Sequence, residues 1–178
     1  APVEGGAIEL LIKALGDWSG GIVPALEAGA RVWIDGPFGD FIPSGQGRSR
    51  LVLIAGGIGL APMRGILHAM RERRDSRPVT LILAAAEASR IPLVDEMAVW
   101  PGEMNLTVVP VFEHPPETWQ GERGYVTADV LRRRVAAPLS GCEYLIAGPI
   151  PMIDAVTAAL TTLGVPGSRI HTERFQMV

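Results

Sequence analysis

Apolar and polar positions alternate in two regular ways along most of the chain after residue 50. Short, continuous apolar runs are typical of strands buried on both faces. They fall at residues 51–55, 79–86, 106–112 and 144–147, and a closing strand is predicted at 168–175. Between these runs, apolar residues recur at helical spacing. Buried strands that alternate with amphipathic helices predict an α/β fold with a parallel sheet covered by helices on both faces.

The helices are predicted from that spacing and from residues that begin or end a helix. Pro62 opens the first helix, because the first turn does not need its missing N–H. The buried face of this helix consists of Met63, Ile66, Leu67 and Met70. Further helices are predicted at 93–100, over Val130 and Leu131 after the capping residue Thr127, and over Met152, Val156, Leu160 and Leu163 up to Gly164. Pro110 predicts an irregular or edge position in its strand.

The N-terminal part of the chain has a different pattern, punctuated by glycine. We predict strands at 8–13 and 31–35, a loop at 16–21, a short helix at 22–28 that ends at Gly29, and a turn at 36–39. Residues 43–47 are typical of a linker. Two domains are therefore expected, at 1–46 and 47–178.

The composition excludes several classes of protein. The chain has 178 residues, 48% hydrophobic and 20% charged, which is enough apolar material for a core. A net charge of −3 argues against a nucleic-acid partner. The single cysteine, Cys142, excludes an internal disulfide and an all-cysteine iron–sulfur cluster, and we expect it in the core. With no bilayer-length apolar stretch and no signal peptide, we expect a soluble chain without a membrane span, processed or cut from a longer protein.

Residues 56–62 (GGIGLAP) join a predicted buried strand to a predicted helix. Glycines allow a sharp turn and a close approach of the backbone to a pyrophosphate, and a helix N-terminus offers N–H donors to that anion. Pro62 stands where the dinucleotide-binding pattern G-x-G-x-x-G has its third glycine. On its own, this segment fits a tight turn without a ligand equally well.

A second turn of this kind follows the strand at 144–147. Gly148 would let a flat ring pass close to the backbone, although Pro149 and Pro151 are also ordinary residues near a helix start. Parallel sheets bind ligands beyond the carboxyl ends of their strands, where the strand order reverses. Two glycine turns at such ends favour a dinucleotide over a single phosphate.

Five segments together resemble the ferredoxin–NADP reductase superfamily. The glycine segment 56–62, the turn at 147–149 with Met152, and the ending 170–175 (IHTERF) resemble the superfamily as a whole. Segments 12–19 (IKALGDWS) and 35–39 (DGPFG) resemble its ferric-reductase and NADPH-oxidase branch. The resemblance implies a remnant of an FAD-binding antiparallel β-barrel followed by a Rossmann-like NAD(P)-binding domain. It also implies hydride transfer from NAD(P)H to FAD and onward transfer of single electrons.

The resemblance also assigns residues to cofactors. It implies that the coenzyme pyrophosphate lies along Gly56, Gly57, Ile58, Gly59 and Pro62. The nicotinamide and its ribose would lie near Gly148, Pro149 and Met152. The catalytic pair near the flavin would be Glu173 and Phe175, with the Phe175 ring shielding the flavin. The FAD diphosphate would face Gly16, Asp17, Trp18 and Ser19.

Coenzyme choice is predicted from the segment after the second strand. Glu87 would accept hydrogen bonds from a free ribose 2′-hydroxyl, whereas Ser89 and Arg90 would bind a 2′-phosphate. We favour NADH over NADPH.

Two features depart from the superfamily: its Arg-x-Tyr/Phe-Ser/Thr flavin motif is absent, and Ala147 stands where it commonly has cysteine. Ala147 removes a polar contact but not the hydride chemistry, which belongs to the cofactors.

For the parent protein, the resemblance implies a membrane ferric reductase or an NADPH-oxidase-like protein. Its FAD-binding domain and transmembrane haem domain would be the partners of this chain, which would lie on the cytoplasmic side and carry no haem itself. The alternatives are the reductase half of a soluble flavohaemoglobin-like or oxygenase-linked enzyme, and a non-catalytic NAD(P)H-sensing module.

The remaining polar residues are expected to be structural. No metal-ligand spacing connects His68, His114 and His171, although His171 shares a strand face with Glu173. The basic runs at 71–74 and 132–134 are expected to be solvated helix ends.

Overall fold

The computed structural model describes residues 2–3, 7–36, 38–44, 49–91, 96 and 99–175. The chain divides into two compact units, Ala1–Asp40 and Phe41–Val178. The boundary predicted at residue 46, three residues of the predicted linker, Pro37 of the predicted turn and most of the helix predicted at 93–100 lie outside the described residues.

The first unit contains little regular structure. Two short strands, β1 (Pro2–Val3) and β2 (Ala7–Ile8), pair antiparallel. Of the strand predicted at 8–13, only Ile8 lies in a strand, and the strand predicted at 31–35 is wrong. A strand is stable only where a neighbour satisfies its backbone groups, and no described residue of this unit pairs with them.

The helix predicted at 22–28 also has the wrong bounds. A π-helical turn at Trp18–Ile22 leads into a 3-10 turn at Val23–Ala25, and the backbone of Leu26 is extended. The helix does not continue beyond these turns, since Leu26 leaves the helical conformation. Gly29, predicted to end the helix, has a positive φ of 91°.

The second unit contains a six-stranded parallel sheet of order β6-β5-β4-β3-β7-β8. The strands are β3 (Arg50–Gly56), β4 (Val79–Ala85), β5 (Leu106–Phe112), β6 (Glu122–Arg123), β7 (Cys142–Gly148) and β8 (Ile170–Arg174). The five strands predicted for this region are confirmed. Pro110 pairs with Leu83 of β4, while the described β6 pairs only with Val111 and Phe112, so Pro110 has the edge position expected of it.

Helices cover both faces of this sheet, as predicted. The helix α1 (Leu60–Glu72) packs in a core cluster with Leu53 and Leu145, and all four residues of its predicted apolar face are buried. The helices α2 (Ala128–Arg134) and α3 (Ile150–Thr162) pack in the other cluster with Ile54 and Ile146. Alternate residues of each buried strand therefore fill the two cores. The architecture is a Rossmann-like α/β fold.

The ends of the helices follow the sequence signals with one correction. Thr127 accepts a hydrogen bond from the Val130 N–H at 3.4 Å and caps α2, and Gly164 follows α3 with a positive φ of 79°. Pro62 does not open α1, because a 3-10 turn at Gly57–Gly59 already leads into a helix that begins at Leu60. It still lies in the first turn, where an N–H has no helical acceptor.

Cys142 lies at the start of β7 and is 1% exposed. Desolvation raises the pKa of its thiol, so Cys142 is an inert core residue, as expected. Within the described ranges, no helix is long and apolar enough to cross a bilayer.

Candidate functional site

The two glycine turns predicted from the sequence lie side by side. Ala55 of β3 pairs with Ala147 of β7, so Gly56 and Gly148 end neighbouring strands at the carboxyl edge of the sheet. A Cβ atom on Gly148 would lie 3.0 Å from the carbonyl oxygen of Gly56. The strand order also reverses at this point, since β4 lies on one side of β3 and β7 on the other. Parallel α/β sheets bind ligands at such a position.

Glycine is required in the turn between β3 and α1 for two separate reasons. Gly57 has a positive φ of 55°, a conformation that is costly for residues with a Cβ, although such an atom would meet nothing within 4 Å. Gly59 is buried, and a Cβ atom there would lie 2.0 Å from the carbonyl oxygen of Ala147. The start of α1 is therefore pressed against the end of β7, and its first N–H groups lie at the same edge. Such an arrangement suits an anion.

A cavity of about 580 Å³ opens beside the first turn. Its size is in the range of small-molecule and cofactor sites, and its walls are mostly apolar. The lining comes from the ends of β3 and β4, the residue after β5, the segment before α2 and the first turns of α3. The lining residues include Gly56, Gly57, Arg90, Glu113, Tyr125 and Met152.

Met152 connects the two turns. A Cβ atom on Gly56 would lie 2.6 Å from the Met152 sulfur, and one on Gly148 would lie 2.8 Å from the Met152 terminal methyl carbon. The Met152 side chain therefore lies over both glycines, and its flexibility lets it adapt to a ligand. Pro149 also lines the cavity, whereas Ile58 and Pro62 are half-buried in the turn and in α1.

The two predicted catalytic residues lie next to the second turn. Glu173 pairs with Ala147 across β7 and β8, and the Phe175 N–H donates a long hydrogen bond of 3.5 Å to the Gly148 carbonyl. Burial raises the pKa of the Glu173 carboxyl. Phe175 packs against the core cluster on the α1 side. The backbone of both residues therefore lies beside the glycine turn, and the Glu173 carboxyl holds its proton more tightly than an exposed one.

Of the two charged residues predicted to select the coenzyme, one lines the cavity and the other does not. Arg90 lines the cavity, whereas Glu87 is not among its lining residues. The Glu87 carboxylate lies 3.6 Å from the Arg90 guanidinium, and both side chains are exposed. Sequence reasoning missed two polar side chains of the cavity, Glu113 and Tyr125. Glu113 directly follows a predicted strand, the position where a parallel sheet holds ligands, and this signal could have identified it.

The four candidate residues of the first unit form a local turn. Gly16 has a positive φ of 63°, and Asp17 and Trp18 are exposed. The Ser19 hydroxyl donates to the Leu15 carbonyl and accepts from the Leu15 N–H at 2.9 Å. The hydroxyl hydrogen of Ser19 is therefore used within the turn.

Within the second unit, the structure brings the glycines, Pro149, Met152, Glu173 and Phe175 together at one edge of the sheet.

The histidines are not gathered at this edge. His68 on α1 contacts Glu96 at 2.8 Å, and His171 on β8 contacts the buried Glu143 at 3.2 Å. His114 is exposed beyond β5. In the part of the chain that the structure describes, no group of three His, Cys, Asp or Glu residues could hold a metal ion.

Residues 53–158 match a family model described as the oxidoreductase NAD-binding domain. The NADH-cytochrome b5 reductase 1 of Emericella nidulans is 32% identical over 174 residues, which cover 93% of this chain and 56% of that protein. The cytochrome b5 reductase domain of Ulva prolifera nitrate reductase has a similar fold, with a TM-score of 0.75 at 23% identity over 85% of this chain and 62% of that one. The flavohaem-like FAD/NAD-binding domain of a Vibrio cholerae nitric oxide dioxygenase has a TM-score of 0.68 at 26% identity, over 78% and 56% of the two chains.

These comparisons leave much of each relative uncovered. The chain spans 50–60% of the length of the first three curated relatives that it matches.

Proposed function

Because the chain belongs to the oxidoreductase NAD-binding domain family, the NAD-binding domain of the ferredoxin–NADP reductase superfamily, we propose that it binds NAD(P)H and orients it for hydride transfer to FAD. The observation that carries this proposal is the pairing of β3 with β7, which brings Gly56 and Gly148 together beside the cavity. The tight approach of Gly59 to Ala147 supports it, since a side chain at Gly59 would push the start of α1 away from the end of β7 and so separate the two turns.

The strand order gives the proposed orientation of the coenzyme. The N–H groups at the start of α1, beyond β3, would stabilise the charge of the pyrophosphate. The cavity beyond β4 and β5 would hold the adenosine, and Gly148 at the end of β7 would hold the nicotinamide. Met152 covers the glycines at the join. When bound, NADH supplies a hydride and FAD accepts it, and the chain contributes proximity and orientation.

Glu173 and Phe175 are the residues we propose at the flavin. The Phe175 ring shields the site that the nicotinamide must enter, and it excludes water while the coenzyme is absent. The pKa of Glu173, raised by burial, lets its carboxyl hold a proton as a hydrogen-bond donor at higher pH than an exposed glutamate could.

We propose that residues 1–46 are the C-terminal part of an FAD-binding β-barrel and that residues 47–178 are the NAD(P)-binding domain. Within the first part, Gly16, Asp17, Trp18 and Ser19 would face the FAD diphosphate. Many large apolar side chains of this unit are exposed, including Trp33 at 84% and Phe38 at 80%. Such exposure is expected where part of a barrel lies alone.

For the whole protein we propose an NADH-dependent flavin reductase that passes electrons to a haem protein, as the name of the Emericella nidulans relative indicates for that enzyme. The ferric-reductase or NADPH-oxidase-like parent, with a transmembrane haem domain and this chain on the cytoplasmic side, is a second candidate, favoured by segments 12–19 and 35–39. The flavohaemoglobin-like alternative is supported by the Vibrio cholerae domain. The non-catalytic NAD(P)H-sensing module is tested by adding NADH to the yellow, flavin-containing protein. Bleaching of the flavin would exclude the sensor.

Coenzyme binding is tested by thermal unfolding of the 178-residue chain with NADH or NADPH, with and without FAD. A coenzyme at one hundred times its Kd adds about 2.7 kcal/mol to the free energy of unfolding. Ala155 lines the cavity on α3, and Ala158 lies on the same helix outside it. We expect Ala155→Trp to abolish the protection and Ala158→Trp to keep it. Protection by neither coenzyme, or equal protection of both variants, would overturn the proposal.

A further inference from the structure

The wall of the cavity beyond β5 follows a short connection between two strands. β5 ends at Phe112 and β6 begins at Glu122, so residues 113–121 join two neighbouring parallel strands. Such a connection usually takes about a dozen residues or more and contains a helix. Residues 113–121 are all described and form no helix. The carbonyl groups of this loop therefore need partners other than helical N–H groups.

Arg123 provides such a partner. Its Nη2 atom donates hydrogen bonds to the carbonyl oxygens of Pro116 at 3.1 Å, Glu117 at 3.0 Å and Trp119 at 2.8 Å. The backbone of Arg123 is fixed at the same time, because it pairs with Phe112 of β5. Hydrogen bonds from a charged guanidinium are stronger than those between neutral groups. One side chain of β6 therefore holds the bend of the loop that precedes it.

Trp119 provides a second closure of the loop. Its ring lies on Gly121, where a Cβ atom would lie 2.3 Å from the Trp119 Cζ2 atom, and its Nε1 donates to the Glu122 carbonyl at 3.0 Å. The ring centroids of Trp119 and Phe112 are 4.7 Å apart. The loop is thus packed on the end of β5, and Arg123 holds it there through the Trp119 carbonyl.

The residues directly after Arg123 form part of the cavity wall. Gly124, Tyr125 and Val126 line the cavity, whereas Arg123 does not. The Gly124 N–H donates to the Phe112 carbonyl at 2.7 Å, and Gly124 has a positive φ of 83°. The wall therefore begins where the loop is closed, and its first residue is tied to the end of β5.

On the basis of the coenzyme site proposed above, we propose that Arg123 is a positioning residue for coenzyme binding. By closing the loop 113–121, it holds the wall at 124–126 in the conformation that receives the adenosine half before the coenzyme arrives. A wall that is already ordered loses less conformational entropy on binding, which raises the affinity. The nicotinamide half is proposed at Gly148, on the other side of β3, so hydride transfer from bound coenzyme does not depend on Arg123.

The inference is tested with two substitutions of this arginine. Arg123→Met removes the donors and keeps an unbranched side chain, and Arg123→Lys keeps a cation but loses the planar guanidinium and some of its reach. The matched control is Arg132→Met, since Arg132 is an exposed arginine of α2 that pairs with Asp129 and does not line the cavity.

Three measurements separate the two halves of the coenzyme. Calorimetry of the full chain measures the binding of NADH and of 5′-AMP, which probes the adenosine half. Flavin reduction in the intact protein gives kcat and KM for NADH and for reduced nicotinamide mononucleotide, which lacks the adenosine. Amide hydrogen exchange without coenzyme compares the opening of residues 113–126 with that of β3 and β7.

We expect Arg123→Met to weaken the binding of 5′-AMP and to raise the KM for NADH about tenfold, with kcat unchanged. The reaction of reduced nicotinamide mononucleotide should not change, and exchange should become faster in 113–126 but not in β3 and β7. Arg123→Lys should show a partial loss of about threefold. Arg132→Met should match the wild type.

An unchanged affinity for 5′-AMP in Arg123→Met overturns the inference while the coenzyme site stands. An equal loss with reduced nicotinamide mononucleotide also overturns it, because the substitution would then act on the whole fold. If Arg123→Met does not fold, Arg123→Lys decides: a loss confined to 5′-AMP and NADH supports the inference, and wild-type affinities overturn it. If the wild type binds neither NADH nor 5′-AMP, the proposed function fails and this inference fails with it.

Discussion

Gly59 lies so close to the carbonyl of Ala147 that a Cβ atom on Gly59 would be 2.0 Å from the carbonyl oxygen. The contact joins the 3-10 turn before α1 to the last residues of β7, and Gly59 and Ala147 are both buried. The distance between the two glycine turns is therefore set by the absence of one side chain.

Gly59→Ala is expected to destabilise the fold and remove coenzyme binding. The added methyl group must displace backbone, which costs about 1–3 kcal/mol or more. Urea unfolding measures the loss of stability, and calorimetry measures NADH binding. The control is Gly102→Ala, because a Cβ there meets nothing within 4 Å and the backbone needs no positive φ. Equal stability of the two variants would contradict this role of Gly59.

Phe175→Ala is expected to raise the affinity of the intact protein for NADH about tenfold. In the proposed site the ring would compete with the nicotinamide for the place beside Gly148, so its removal would remove a competitor. Titration of the oxidised protein and stopped-flow flavin reduction measure the effect. The control is Phe41→Ala, since Phe41 packs against the same core cluster. Unchanged binding and flavin-reduction rates in Phe175→Ala would argue against the shielding role.

Glu122→Gln is expected to destabilise the chain at neutral pH by about 1–2 kcal/mol. The buried Glu122 carboxylate accepts from Arg133 at 2.6 Å and from Arg134 at 2.7 Å, so these arginines are more than a solvated helix end. The expected loss of stability is modest because both guanidinium groups reach solvent. Chemical denaturation is compared with that of Asp129→Asn, which breaks an exposed pair with Arg132 and should change stability by less than about 0.5 kcal/mol.

The same pair gives a pH dependence. The Arg133 hydrogen bond is the main cause that lowers the pKa of Glu122 below 4.5 in the folded chain. The stabilisation is therefore present above about pH 4.5 and is lost as the pH falls through the lower folded value. The acid limb of the stability profile should be shallower in Glu122→Gln. A profile that is parallel to the wild type would contradict this.

Glu173→Gln is expected to have the opposite sign. Burial raises the pKa of Glu173 above 4.5, so the stabilisation is complete below that value and is lost as the pH rises through the raised folded value. Glutamine does not titrate, and the variant should gain stability relative to the wild type between acid and neutral pH. Melting temperatures across this range measure the difference, with the exposed Glu117→Gln as the control. A constant difference would show that Glu173 is not desolvated.

The sequence predicted the second unit well, because its signals are local. The strand runs, the buried face of α1, the Thr127 cap and the edge position of Pro110 all follow from short-range pattern, and the structure confirms them. The superfamily resemblance is confirmed as well, whereas the ferric-reductase branch and the roles of individual residues stay proposals. The first unit was predicted poorly, since its apolar segments form strands only when another strand pairs with them.

The candidate site shows the same division. The sequence identified both glycine turns, because glycine before a helix has a recognisable local meaning. It missed Glu113, although this residue directly follows a predicted strand, because a single glutamate in such a position is ordinarily a solvated loop residue.

The sequence by itself determined which segments are strands, which helix faces are buried and where the chain needs glycine. The tertiary structure alone decided that β3 and β7 lie side by side, so that Gly56 meets Gly148, Gly59 meets Ala147 and Glu113 faces the cavity. The physical reason is that periodicity reports contacts within a few residues. Pairing of strands distant in sequence is decided by the burial and hydrogen bonding of the whole sheet.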